Sequence, residues 1–209
     1  MIKLIMFPYA GSIGYAYQKI FPYFDKGQYD IHMIDLNGRG ERIEYKPYST
    51  WNQLVDDIFV QVIEIIKRDE NEYVLFGHSM GAKIAYDVYL KLSMNKIKAP
   101  LYIIFSGCKI HSEKSEYNKL LEMPKQDFEQ EYIRLGGIPK EVLHDDDFRE
   151  YVFDVIKQDL QLLVQYLPKL VRITENVIVL NGANDDKSSI SDWKYLCNKR
   201  NRFSGRILH

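Results

Sequence analysis

At 209 residues with 46% hydrophobic side chains, the chain can bury a sizeable core, and its length suits a single domain, residues 1–209, with an insertion. A formal charge of −1 excludes the basic footprint of a nucleic-acid binder and the polybasic patch of a membrane-surface protein. No apolar run approaches the roughly 18 residues that span a bilayer, and the distant Cys108 and Cys197 fit a reduced, cytoplasmic protein better than a disulfide-stapled one. Small-molecule or protein partners are expected, the chain being a monomer.

Met1-Ile2-Lys3-Leu4-Ile5-Met6-Phe7-Pro8 is too short an apolar run for a signal sequence and reads as a first strand. A breaker-rich turn follows, Phe7-Pro8-Tyr9-Ala10-Gly11-Ser12, leading into the Tyr- and Phe-rich residues 15–24. Tyr29-Asp30-Ile31-His32-Met33-Ile34-Asp35-Leu36 is a second strand, with His32 packed or hydrogen-bonded inside it. The next stretch, Asn37-Gly38-Arg39-Gly40-Glu41-Arg42, lacks the third glycine of a dinucleotide fingerprint and reads as a sharp surface turn with solvated charges. Thr50-Trp51-Asn52-Gln53 has the capping-box form. Trp51, Leu54, Val55, Ile58, Phe59, Val62, Ile63 and Ile66 follow it at helical spacing as a core-facing stripe.

The chemistry-bearing stretch is Gly77-His78-Ser79-Met80-Gly81, set between the apolar run Tyr73-Val74-Leu75-Phe76 and a helical pattern from residue 80 to about 94. Strand, tight turn and helix are the context of the nucleophile elbow, in which a strained backbone pushes the serine hydroxyl out at the end of a sheet. Ser79 is then the candidate nucleophile. The first oxyanion donor in such a site is the N–H after the nucleophile, Met80, and the second comes from the loop after the first strand. Ala10 is assigned to that loop, with Tyr9 as its neighbouring alternative.

Leu101-Tyr102-Ile103-Ile104-Phe105 is another buried strand, so the first half alternates strands and helices as a mostly parallel sheet with helices on both faces does. The alternation stops from about 112 to 168, where only helical patterns occur, such as 126–134 and 148–167; inserted between two strands, they read as a lid over the serine. His144-Asp145-Asp146-Asp147 lacks the spacing of a metal site, and its aspartates suit the first turn of the following helix. No cofactor or metal is expected.

Asn176-Val177-Ile178-Val179-Leu180 restores the strand pattern and runs into Asn181-Gly182-Ala183-Asn184-Asp185-Asp186. An acid just past a late strand belongs to a Ser–acid–His order, which selects Asp185, with Asp186 second. Residues 189–198 suggest a short helix and 202–209 a last strand. Serine is a weak nucleophile at neutral pH and needs a histidine held by a carboxylate. Of the five histidines, His78 leaves the elbow in another direction, while His32, His111 and His144 precede the acid. His209 alone follows it.

The chain resembles the type II thioesterases, free-standing α/β-hydrolases that accompany nonribosomal peptide and polyketide synthases. The matching stretches are Phe7-Pro8-Tyr9-Ala10-Gly11-Ser12, Gly38-Arg39-Gly40-Glu41-Arg42, Phe76-Gly77-His78-Ser79-Met80-Gly81-Ala82, Leu135-Gly136-Gly137-Ile138-Pro139, Asn181-Gly182 with its aspartates, and Trp193. The resemblance implies an α/β-hydrolase fold with Ser79 as nucleophile, Asp185 as acid, and a lid that admits a phosphopantetheine arm. The implied substrate is an acyl or aminoacyl thioester on an acyl- or peptidyl-carrier protein. The pattern departs at the end, where the family usually carries Gly-Gly-His-Phe-Phe and a final helix but Arg206-Ile207-Leu208 precedes His209. Two alternatives stay open here: a small-molecule carboxylesterase, and a truncated, inactive relative that only binds a carrier protein.

Overall fold

The computed structural model describes residues 1–12, 17–111, 114–134, 138, 143–185, 190–197 and 202–208. Its centre is a six-stranded sheet of β1 (Ile2–Phe7), β2 (Tyr29–Met33), β3 (Tyr73–His78), β4 (Tyr102–Ser106), β5 (Asn176–Gly182) and β6 (Phe203–Leu208). The spatial order is β2-β1-β3-β4-β5-β6, and every pairing is parallel. This is the α/β architecture expected from the alternating pattern. Because all strands point the same way, the segments leaving their C-terminal ends share one edge.

The strand period of two sorts the side chains between two cores. Ile5 and Phe7 of β1 and Tyr73 and Leu75 of β3 face the larger core, while Leu4, Met6 and Val74 face the smaller one. The larger core is covered by α1 (Trp51–Ile66), α2 (Met80–Met94), α5 (Asp146–Gln165) and Trp193 of α6 (Ile190–Leu196). On the other face, the described cover includes the 3-10 helix Gln18–Tyr23, whose Ile20 and Phe21 pack on Leu4 and Met6. Pro22 inside that segment is consistent with a short 3-10 piece rather than a full helix.

Helix α1 follows its sequence signature closely. The Thr50 side chain accepts the Gln53 N–H, and the Gln53 carboxamide reaches back to the Ser49 N–H, one residue before the usual partner. The stripe is buried from Trp51 to Ile66, with Phe59 and Ile63 at its half-buried margin and Ile65 added to it. Lys3, the one charge in β1, is 1% exposed and donates to the Ile65 carbonyl at the end of this helix.

Between β4 and β5 the described elements are helical: α3 (Lys114–Leu121), α4 (Lys125–Arg134) and α5. Asp145 caps α5 by accepting the Phe148 N–H at 2.9 Å, and Asp146 pairs with Arg149, so these acids serve the helix start as anticipated. Helix α5 buries Val152, Phe153, Val155, Ile156, Leu160, Leu162 and Leu163 and carries Asp159 into the same interior face. Leu135, Gly136, Gly137 and Pro139 lie outside the described residues.

Candidate active site

Strand β3 delivers its last residues between β1 and β4, with Phe7 opposite Gly77 and His78 opposite Ser106. The sequential crossover leaves β1 toward β2 on one side and toward β3 on the other, so the loops after β1 and β3 flank the switch point of the sheet, where α/β folds bind ligands. Ser79 sits there at φ 53°, ψ −117°, a conformation a non-glycine residue holds only under constraint. Its N–H donates to the Ser106 carbonyl at 2.9 Å, and its carbonyl accepts the Ala82 N–H as α2 begins.

The flanking glycines have a steric reason. A Cβ on Gly77 would lie 2.1 Å from the Gly81 carbonyl oxygen, and one on Gly81 would lie 2.3 Å from the Phe7 carbonyl oxygen. The elbow therefore folds on itself and against the end of β1 at backbone contact.

The loop after β1 lies beside this elbow. Ser12 N–H donates to the Tyr9 carbonyl at 3.1 Å, and Gly11 at φ 77° occupies the third position of that turn, as a type II turn requires. Gly11 N–H donates to Asp159 at 2.8 Å. The Ala10 and Met80 N–H groups have no acceptor among the described residues. Tyr17 donates to the Phe7 carbonyl and packs edge-on against Tyr9, whose ring lies edge-on to His78.

His78 is turned toward β4: its Nδ1 is 3.1 Å from Ser106 Oγ, and a Cβ on Gly107 would strike its ring at 2.5 Å. Burial pushes the imidazole pKa down, opposed by the negative charge of Asp185. Asp185, on the turn closed by its own N–H to the Gly182 carbonyl, thus lies within electrostatic reach of the elbow, and its charge also acts on Cys108. Burial raises the Cys108 thiol to about 11 despite the nearby Lys83, so it is protonated at neutral pH. His209 and Asp186 lie outside the described residues, the strand leading to His209 ending at Leu208 beside Gly182. Of the other histidines, His32 pairs with Asp30 at 2.7 Å inside β2, and His111 and His144 are exposed.

One reading from sequence is corrected. Arg39 is no solvated turn residue: it is 4% exposed and forms a two-pronged pair with Asp159, itself 0% exposed, at 2.5 and 2.7 Å. Burial works against the guanidinium charge, but the Asp159 carboxylate more than offsets it and raises its pKa. Arg42 does lie nearer the surface, paired with Asp57. An acid at a core position of an amphipathic stripe, three residues after Ile156, was the available signal for Asp159; its partner is 120 residues away.

Trp193, 0% exposed, stacks on Phe105 at 3.8 Å and donates to the Cys108 carbonyl at 2.7 Å, bracing the segment after β4. Among the described residues no group of three or more His, Cys, Asp or Glu side chains could hold a metal ion, and no helix is long and apolar enough to cross a membrane.

The thioesterase-domain family model matches residues 2–207. The chain belongs to the thioesterase family. Its resemblance to the type II members stands. The medium-chain S-acyl fatty acid synthase thioesterase of Homo sapiens is 25% identical over 200 residues, covering 92% of this chain and 73% of the relative. The gramicidin S biosynthesis protein GrsT of Aneurinibacillus migulanus is also 25% identical over 200 residues, covering 92% and 75%. Among solved structures, ClbQ from the colibactin nonribosomal peptide and polyketide pathway superposes with TM-score 0.84 at 24% identity, covering 99% of this chain and 87% of that one. The type II thioesterase YbtT from the yersiniabactin pathway gives TM-score 0.81 at 21% identity, covering 99% and 84%. Thioester hydrolysis is accordingly the family-level activity of this thioesterase, and hydrolase describes its class.

Proposed function

We propose that this thioesterase releases acyl or aminoacyl groups from the phosphopantetheine arm of a carrier protein through an acyl-enzyme on Ser79. The observation that carries the reading is the Ser79 backbone, held at φ 53° between two glycines beside the loop after β1. A thioester carbonyl placed there meets a half-buried nucleophile at the C-terminal edge of the sheet, with the Met80 and Ala10 N–H groups as the assigned oxyanion donors.

In the proposed reaction His209, oriented by Asp185, accepts the Ser79 proton as Oγ bonds to the carbonyl carbon. The tetrahedral intermediate collapses, the C–S bond breaks, and the proton passes to the departing thiol of the arm. Water, deprotonated by the same imidazole, then attacks the acyl-serine, releasing the carboxylic acid and restoring the serine hydroxyl. The helices between β4 and β5, about residues 112–168, act as the lid that admits the arm. Support for a carrier-borne substrate comes from the relatives, since ClbQ and YbtT belong to nonribosomal peptide and polyketide pathways.

The test is release of a radiolabelled acyl group from a loaded carrier protein. Ser79→Ala should abolish release beyond the background rate, and unchanged turnover would overturn the assignment. A higher kcat/KM on a free aryl ester than on the loaded carrier would replace the carrier-directed reading with that of a carboxylesterase.

A further inference from the structure

The buried Arg39–Asp159 pair is unusual in what its charges touch. Asp159 Oδ1 accepts from Arg39 Nη2 at 2.5 Å, and Oδ2 accepts from Nη1 at 2.7 Å and from the Gly11 N–H at 2.8 Å. Arg39 Nη1 also donates to the Ser12 carbonyl at 3.2 Å. Both members of the pair therefore bind the backbone of one turn, the turn that contains Ala10.

Stability alone does not account for such a pair. Desolvating two charges costs about as much as their attraction returns, and a well-packed apolar replacement is often as stable. Here the network is also incomplete, for Arg39 Nε and Ser12 Oγ find no partner among the described residues. What the pair supplies is orientation. Type I and type II turns differ by a half-rotation of the central peptide, and in this turn that peptide carries the Gly11 N–H. An acceptor fixed at 2.8 Å from that N–H holds the type II form, and the Ala10 N–H belongs to the preceding peptide, whose Tyr9 carbonyl is tied to the anchored end by the Ser12 N–H at 3.1 Å. Ile156, one turn before Asp159 on α5, also packs against this turn, since a Cβ on Gly11 would strike it at 2.4 Å.

We propose that Arg39 and Asp159 are positioning residues that anchor the turn Tyr9–Ser12 at its Gly11 N–H and Ser12 carbonyl, holding in place the preceding peptide whose Ala10 N–H faces the developing oxyanion, and that α5 carries this anchor. The inference rests on the proposed acyl-enzyme reading. It requires preorganisation: a donor free to rotate must be reoriented during each reaction.

The test compares two paired variants in which no charge is left buried alone. Arg39→Met with Asp159→Leu removes both contacts to the turn, whereas Arg39→Met with Asp159→Asn retains a carbonyl that accepts the Gly11 N–H. The Leu pair should lose about 10- to 100-fold in kcat with KM nearly unchanged, the scale of a displaced oxyanion donor. The Asn pair should recover most of that loss. Affinity for an alkyl boronic acid, which forms a tetrahedral adduct on the serine, should fall by the same factor as kcat and recover in parallel. Arg39→Lys keeps the charge balance but not the two-pronged geometry, so it should show a smaller fall in kcat, again at constant KM.

Equal kcat and boronate affinity in the folded Leu and Asn pairs would overturn the proposal, as would unchanged kcat in Arg39→Lys. A fall in KM-controlled binding without a change in boronate affinity would do the same. Wild-type protein that binds the boronate but hydrolyses no thioester would instead count against the thioesterase reading.

Discussion

Replacing Gly81 by alanine tests the elbow most directly, because the obstacle is backbone and cannot rotate away. The added Cβ would sit 2.3 Å from the Phe7 carbonyl oxygen and 2.9 Å from both the Phe7 carbonyl carbon and the Pro8 carbonyl oxygen. Ordinary contact begins near 3.4 Å, so the start of α2 must retreat from the end of β1 by about 1 Å. Forcing such a shift into a packed interior costs roughly 1–3 kcal/mol. The same displacement separates the Met80 and Ala10 N–H groups, which lie on opposite sides of the opened contact, and a 1 Å error in a catalytic constellation costs about 10²-fold in rate. Urea unfolding and acyl release from a loaded carrier protein measure the two effects. Gly182→Ala is the internal control for stability, since its Cβ would meet only the Asp185 Cβ at 3.5 Å. A Gly81→Ala protein that unfolds at the wild-type urea midpoint and retains wild-type kcat would refute the clash with the end of β1.

The pKa of half-buried His78 is depressed below 6.5 by partial desolvation, so the unfolded chain binds its proton first as pH falls. Stability contributed by neutral His78 is therefore complete above pH 6.5 and is lost as pH falls through the folded value. The stability difference between wild type and His78→Gln, followed by urea midpoints from pH 8 to pH 4, should shrink on the acid side, and a gap independent of pH would refute this. Trp51→Phe removes the Nε1–H donated to Asp87 at 2.7 Å, leaving a buried carboxyl whose other oxygen already has no partner among the described residues. A loss of about 1–3 kcal/mol is expected, and a loss below roughly 0.5 kcal/mol in urea unfolding would contradict the assigned role of that bond.

The sequence by itself determined those features whose physics is local. The elbow was legible because its glycines are required by contacts within five residues or with an adjacent strand, and the strand-turn-helix context is written beside it. The same holds for the Thr50 cap, the α1 stripe and the aspartates at the start of α5. The parallel sheet was legible from alternation, since parallel strands need crossovers of helical length.

Only the tertiary structure decided what depends on distant chain segments. A glycine-flanked arginine looks the same in sequence whether it meets water or a buried carboxylate, and nothing near Arg39 indicates that Asp159 arrives from a helix 120 residues later. Tertiary packing also turned His78 toward Ser106 and Gly107 and brought the charge of Asp185 to bear on it. The common cause is the parallel sheet. It gathers the ends of β1, β3, β4 and β5 at one edge, where residues far apart in sequence interact through space.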